Sequence, residues 1–174
     1  MSSPELSAAD LAALERERFV RLFGGVWEHA PPWVADQAFD AGPFRDLQAL
    51  HEAMVEAMRR APRARQLALI RAHPDLAGRA AIRGELTAAS SAEQASAGLD
   101  QCTPAEFARF RELNDAYKEK FGFPFILAVK GRSREEILAA FERRLNNSAE
   151  AEFEEALGQI AQIARLRLAD LIQP

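Results

Sequence analysis

Thr103-Pro104-Ala105-Glu106-Phe107-Ala108-Arg109-Phe110-Arg111-Glu112-Leu113-Asn114-Asp115-Ala116-Tyr117-Lys118-Glu119-Lys120-Phe121-Gly122 is the stretch that decides the fold class. Thr103 and Glu106 form a capping box, and Pro104 suits the first helical position, where a missing N–H is harmless. Phe107, Phe110, Leu113 and Tyr117 then recur at helical spacing, giving one apolar face. Lys118 and Lys120 suit the negative end of the helix dipole, and Gly122 suits the left-handed residue that closes a helix. The run that follows, Phe123-Pro124-Phe125-Ile126-Leu127-Ala128-Val129, reads as an extended, buried connector.

Outward from this helix the same periodicity recurs, and no segment shows sustained strand alternation. Ser7-Ala8-Ala9-Asp10 opens a helix carrying Leu11, Leu14, Phe19, Leu22 and Phe23, which Gly24-Gly25 stops. Trp27 to Trp33 is a proline-broken turn, with a short helix after it through Phe39. Pro43 is expected to start a helix with Leu47, Leu50, Met54 and Met58 on one face, broken by Pro62. Leu67 to Ala72 forms a short helix ending at His73-Pro74, and Asp75 to Ala89 is expected to be a long surface loop. Ser133-Arg134-Glu135-Glu136 caps another helix, and the last runs from Ala149 to Leu171. The expected architecture is all-α, a single-domain bundle of about seven to nine helices with residues 1–174 as one domain.

A net charge of −4 and a pI near 5.5 argue against a nucleic-acid partner. The basic runs Arg59-Arg60 to Arg65 and Arg143-Arg144 read as solvated helix faces. Cys102 is the only cysteine, which excludes a disulfide framework and a thiolate metal cluster. No basic-then-apolar leader opens the chain, no run approaches the roughly 18 apolar residues of a membrane span, and Ile172-Gln173-Pro174 is no peroxisomal signal. A cytoplasmic compartment and no membrane contact are the expectation.

Three candidates for chemistry stand out. His73 carries the one side chain whose ordinary pKa allows proton transfer near neutrality, and Pro74 fixes the turn that presents it. Its plain alternative is a structural histidine at a helix end. His29 and His51 are weaker, and His51 is expected at the surface. No His-x-x-x-His pattern exists, so no protein-built metal site is expected. Ser90-Ser91-Ala92-Glu93 reads as a capping box, and a helix start bearing Ser90, Glu93 and Gln94 could also cradle an anion or a ureido group. On the last helix, Phe153, Ala156, Leu157, Ile160, Ile163, Ala164, Leu168 and Leu171 define an apolar stripe. Arg167 falls within about 40° of its centre, whereas Arg165 points away. An inward guanidinium either snorkels to water or needs an anion: a structural carboxylate, Glu93, or a substrate.

These residues carry a resemblance. The chain resembles the 2-oxo-4-hydroxy-4-carboxy-5-ureidoimidazoline (OHCU) decarboxylase family over nearly its whole length. The markers are Phe23-Gly24-Gly25-Val26-Trp27-Glu28-His29, His73-Pro74-Asp75-Leu76, Ser90 with Glu93-Gln94, and Ala97-Gly98-Leu99. Asn114, Tyr117, Lys120-Phe121-Gly122-Phe123-Pro124-Phe125-Ile126 and Arg167 continue the series. Pro31 and Trp27 depart from the family's usual serine and tyrosine. The resemblance implies a cofactor-free, usually dimeric enzyme that converts OHCU to (S)-allantoin in urate degradation. It implies His73, Glu93 and Arg167 as catalytic residues. Its substrate contacts would be Pro74, Ser90, Ser91, Ala92, Glu93 and Gln94, the main chain of Phe125, Ile126, Leu127, Ala128 and Val129, and Arg167. The rival readings are a lyase or hydrolase acting on a related ureido compound, and a non-catalytic helical interaction module.

Overall fold

Capping boxes at Ser7, Thr103 and Ser133 set three helix starts as the sequence predicts, each with its serine or threonine oxygen accepting from the N3 amide. They belong to a computed structural model that describes residues 6–28 and 32–174. His29 and Pro31, and the opening residues through Glu5, lie outside the described residues. The helices are α1 (Ala8–Ala12), α2 (Arg16–Phe23), α3 (Trp33–Phe39), α4 (Leu47–Arg60) and α5 (Arg63–Ala72), followed by α6 (Arg79–Ile82), α7 (Ala88–Ser96), α8 (Pro104–Phe121), α9 (Arg134–Arg144) and α10 (Ala149–Ala169). The all-α class holds, with α1 and α6 reduced to about one turn each. Among the described residues no helix is long and apolar enough to cross a membrane.

The chain divides into two compact units, residues 1–69 with 161–174, and residues 70–160. In the first, Phe19 packs edge-on against Phe23 and Phe39 at 4.9 and 5.3 Å and stacks on Phe44 at 5.9 Å. Leu50, Met54 and Met58 are fully buried on one face of α4. The main chain of Leu6 clasps the C-terminal residues, donating to Leu171 and accepting from Gln173, both at 2.8 Å. In the second unit Tyr117 is the hub, with the rings of Phe121, Phe123, Phe125 and Phe141 within 4.5–6.0 Å.

Local expectation fails at several places, each for a physical reason. The first helix breaks between Ala13 and Glu15, although alanine, leucine and glutamate all favour continuation. At the start of α2, Arg16 pairs with Asp36 and Asp40 and lies over the Phe39 ring, contacts from α3 and the residue after it that local propensity does not contain. Helix α4 starts at Leu47 rather than Pro43, because the Asp46 carboxylate accepts the Ala49 N–H at 2.8 Å while Phe44 is drawn onto Phe19. His51 is half-buried rather than at the surface, its Nε2 2.8 Å from the Ala161 carbonyl. Arg144 is buried, not solvated like Arg143. The Asp75–Ala89 stretch is not wholly a surface loop, since Leu76, Ala77 and Gly78 are buried and α6 interrupts it.

Candidate active site

Helix α5 ends where Pro74 forbids another turn, and His73 leaves it with its N–H on the Ile70 carbonyl at 3.2 Å. His73 is 7 % exposed, an unusual burial for an imidazole in a loop. The residues after it are tied down one by one. The Gln94 amide nitrogen donates to the Asp75 carbonyl at 3.2 Å, and its oxygen accepts the Ala77 N–H at 3.0 Å. From α8, Asn114 Nδ2 donates to the Leu76 carbonyl at 2.9 Å, and Lys118 Nζ pairs with the Asp75 carboxylate at 2.6 Å. Ala77 is held at φ +48°, a conformation that alanine adopts only against strain of about 1–3 kcal/mol. Gly78 follows because a Cβ there would lie 2.6 Å from the Cβ of Asp75. The loop is over-determined, so its path past His73 is fixed by its surroundings.

Helix α7 corrects the anion-cradle reading. It begins at Ala88, capped by Thr87, whose hydroxyl accepts the Ser90 N–H at 3.1 Å. Thr87 and Ser90 are both acceptable local caps, and with Thr87 in that role Ser90 lies inside the first turn. The Ser91 N–H is likewise taken, by the Thr87 carbonyl at 2.9 Å. The Ser90-to-Glu93 capping box therefore does not form, and what the segment can offer is side chains. Ser90 and Gln94 are buried, Glu93 is half-buried, and Ser91 and Ala92 are exposed. Gln94 keeps one N–H and one lone pair beyond its two loop bonds.

The connector is extended and continuously buried from Phe123 to Val129, as its composition predicts. Side chains secure it in place of a sheet. Arg144 Nη1 donates to the Ile126 carbonyl at 2.6 Å, Gln159 accepts the Ala128 N–H at 2.9 Å, and Arg132 Nε donates to the Ala128 carbonyl at 3.0 Å. Among the described residues, the main-chain N–H groups of Ile126, Leu127 and Val129 find no acceptor. Buried amides are nearly always paired, so donors left over in a buried segment point to a ligand.

Arg167 belongs to the other unit and faces inward, 7 % exposed, while Arg165 is exposed. Its Nη1 donates to the Val26 carbonyl at 3.0 Å and its Nη2 pairs with Glu28 at 2.9 Å. Glu28 was missed by the sequence reading as a partner, although it stands in the Phe23–His29 string. Its side chain is fully buried and its φ is +61°, so backbone strain occurs here as well as at Ala77.

A family model for OHCU decarboxylase matches residues 12–169. The chain belongs to the OHCU decarboxylase family. It is 45% identical over 166 residues to the 2-oxo-4-hydroxy-4-carboxy-5-ureidoimidazoline decarboxylase of Haloferax volcanii, covering 95% of this chain and 96% of that one. It is 38% identical over 163 residues to the uric acid degradation bifunctional protein of Bacillus subtilis, covering 94% of this chain and 32% of that protein. Among solved structures, (S)-allantoin synthase aligns with TM-score 0.77 and 30% identity, over 96% of this chain and 54% of that one. OHCU decarboxylase in the presence of (S)-allantoin aligns with TM-score 0.70 and 25% identity, over 92% and 100%.

Within this family chain, the second unit holds His73, Pro74, Ser90 to Gln94 and Phe125 to Val129, and the first holds Arg167. The sequence reading also missed Glu152, which is fully buried. It lies at the margin of the α10 stripe, where helical phase does not separate a buried carboxylate from a solvated one.

Proposed function

We propose that this chain decarboxylates OHCU to (S)-allantoin in urate degradation. The observation that carries the reading is His73: a buried imidazole on a loop tied by Gln94, Asn114 and Lys118, in a chain of this family. The reaction breaks the bond between the carboxylate and the carbon that also bears the hydroxyl. That carbon adjoins a ring C=N, so the electron pair passes onto the ring nitrogen, which takes up a proton. The hydroxyl then loses its proton to become a carbonyl, and the ureido-bearing carbon gains one. The substrate thus supplies its own electron sink, and the reaction needs neither organic cofactor nor metal. His73 moves the proton at the hydroxyl and delivers one to a single face of the ureido-bearing carbon. Glu93, with Ser90 and Gln94, grips the hydroxyl and ureido groups, while the exposed Ser91 and Ala92 drop out of the expected contact set. Pro74 and the free amides of Ile126, Leu127 and Val129 orient the ring, and Arg167 binds an anionic or carbonyl oxygen.

The chain acts as one catalytic domain, since the family match runs across both units. It works as a cytoplasmic homodimer on a small molecule, without membrane or nucleic acid, in keeping with a single cysteine and a net charge of −4. The test forms OHCU in situ from urate with the two preceding enzymes and follows its loss by ultraviolet absorbance and optical rotation. The expected product is a single enantiomer, formed at a rate that dialysis against a chelator leaves unchanged. His73→Ala should lower the rate by about 10²–10⁴ with helical circular dichroism intact. A racemate, or an effect within tenfold of wild type (about 1.4 kcal/mol), would remove His73 from the proton step.

A further inference from the structure

Arg144 and Glu152 are 4 % and 0 % exposed in the second unit, and the chemistry above uses neither. Arg144 Nε pairs with Glu152 Oε1 at 2.9 Å, an oxygen that also accepts the Tyr117 hydroxyl at 2.6 Å. Glu152 Oε2 accepts from Asn147 at 3.0 Å, so the carboxylate is gripped on both sides. The guanidinium lies over the Phe125 ring at 4.3 Å, and that ring stacks on Phe141 at 3.9 Å. Its Nη1 makes the 2.6 Å bond to the Ile126 carbonyl. Burial first, and then the bond to Glu152, hold the Tyr117 phenol well above its ordinary pKa, so it stays a donor across the working pH range.

As a purely stabilising device this cluster is poor. Arg144 Nη2 is buried with no partner, and buried ion pairs are commonly matched or bettered by apolar side chains of similar size. What an apolar pair could not do is hold a main-chain carbonyl from a fixed point. We propose that Arg144, anchored by Glu152 and Tyr117, is a positioning residue that fixes the Phe125–Val129 main chain so that its free N–H groups meet the substrate. This rests on the reading that the connector binds substrate. Planarity is essential to the role, because the guanidinium must serve Glu152, Phe125 and the Ile126 carbonyl at once.

The test compares the double variant Arg144→Met/Glu152→Leu, the single variant Arg144→Lys and the exposed control Arg143→Lys. Three quantities are read: melting temperature, amide hydrogen exchange of the segment 125–129, and kcat and KM against pH. The double variant orphans the Tyr117 hydroxyl and the Ile126 carbonyl and so should melt somewhat below wild type but fold; it should exchange at least about tenfold faster within 125–129 alone, and lose about tenfold or more in kcat/KM. The pH profile, set by His73, should keep its position while falling in height. Arg144→Lys should act in the same direction and keeps the test decisive if the double variant fails to fold. Arg143→Lys should change nothing. Unchanged exchange in 125–129, or a folded double variant with wild-type kcat/KM, overturns the proposal. A wild-type enzyme inert towards OHCU would instead overturn the proposed function, and the exchange data would still decide whether Arg144 positions the connector.

Discussion

Replacing Gln94 with leucine separates holding the His73 loop from gripping the substrate. The side chain is 5 % exposed and makes two bonds to the loop, so leucine leaves the Ala77 N–H and the Asp75 carbonyl without their partner. An orphaned buried polar group costs about 1–3 kcal/mol; Asp75 is only half-buried and its carbonyl falls at the low end, so the two together cost about 2–4 kcal/mol gross. Some returns, because a released Ala77 can leave the left-handed region, a relief of about 1–2 kcal/mol. The net is about 2 kcal/mol, a fall in Tm of roughly 4–8 °C for a chain of this size. The catalytic effect should be larger, since an error of about 1 Å in a catalytic group can cost about 10²-fold in rate. Asn114→Leu makes the matched comparison from α8. It removes the 2.9 Å bond to the Leu76 carbonyl, but also removes Asn114 Oδ1, which is buried with no partner. Stability should therefore hardly change while kcat falls. Steady-state kinetics and thermal melts on both variants decide the matter. If Gln94→Leu raises KM and leaves kcat alone, and Asn114→Leu is silent, the two side chains do not hold the His73 loop and Gln94 serves the substrate alone.

Two further outcomes follow from the ion pairs. Arg167→Lys keeps the charge but cannot reach Glu28 and the Val26 carbonyl together, and losing one charge-assisted bond should cost about 1.5–3 kcal/mol in a thermal melt. Measured well below its melting point, the variant should also lose at least about tenfold in kcat/KM, while Arg165→Lys is silent; equal effects at the two positions refute the role. Glu106 titrates below its ordinary value, chiefly because the Thr103 N–H donates to it and then because Arg134 does. Its contribution to stability is fully present above the ordinary glutamate value and is lost as pH falls through the lowered one. Glu106→Gln should flatten the acid limb of a Tm-against-pH curve, and an unaltered limb would show that the box does not titrate with folding.

The sequence alone determined whatever depends on neighbours within about one helical turn. The boxes at Ser7, Thr103 and Ser133, the stop at His73-Pro74 and the extended connector were all legible, because each is settled by local hydrogen bonds or by ring closure. The inward turn of Arg167 was legible from helical phase. Tertiary structure decided the rest. The break before Arg16 occurs where Arg16 meets Asp36 and Asp40, twenty and more residues away. Thr87 displaced Ser90 as the cap in a choice between two acceptable local starts. Arg144 looked like its exposed neighbour Arg143 until the Ile126 carbonyl and Glu152 were placed beside it. Arg167 found Glu28 across 139 positions of chain. A buried charge declares in the sequence only that it needs a counter-charge; which one it receives is decided when distant segments pack, because only then is water excluded from both.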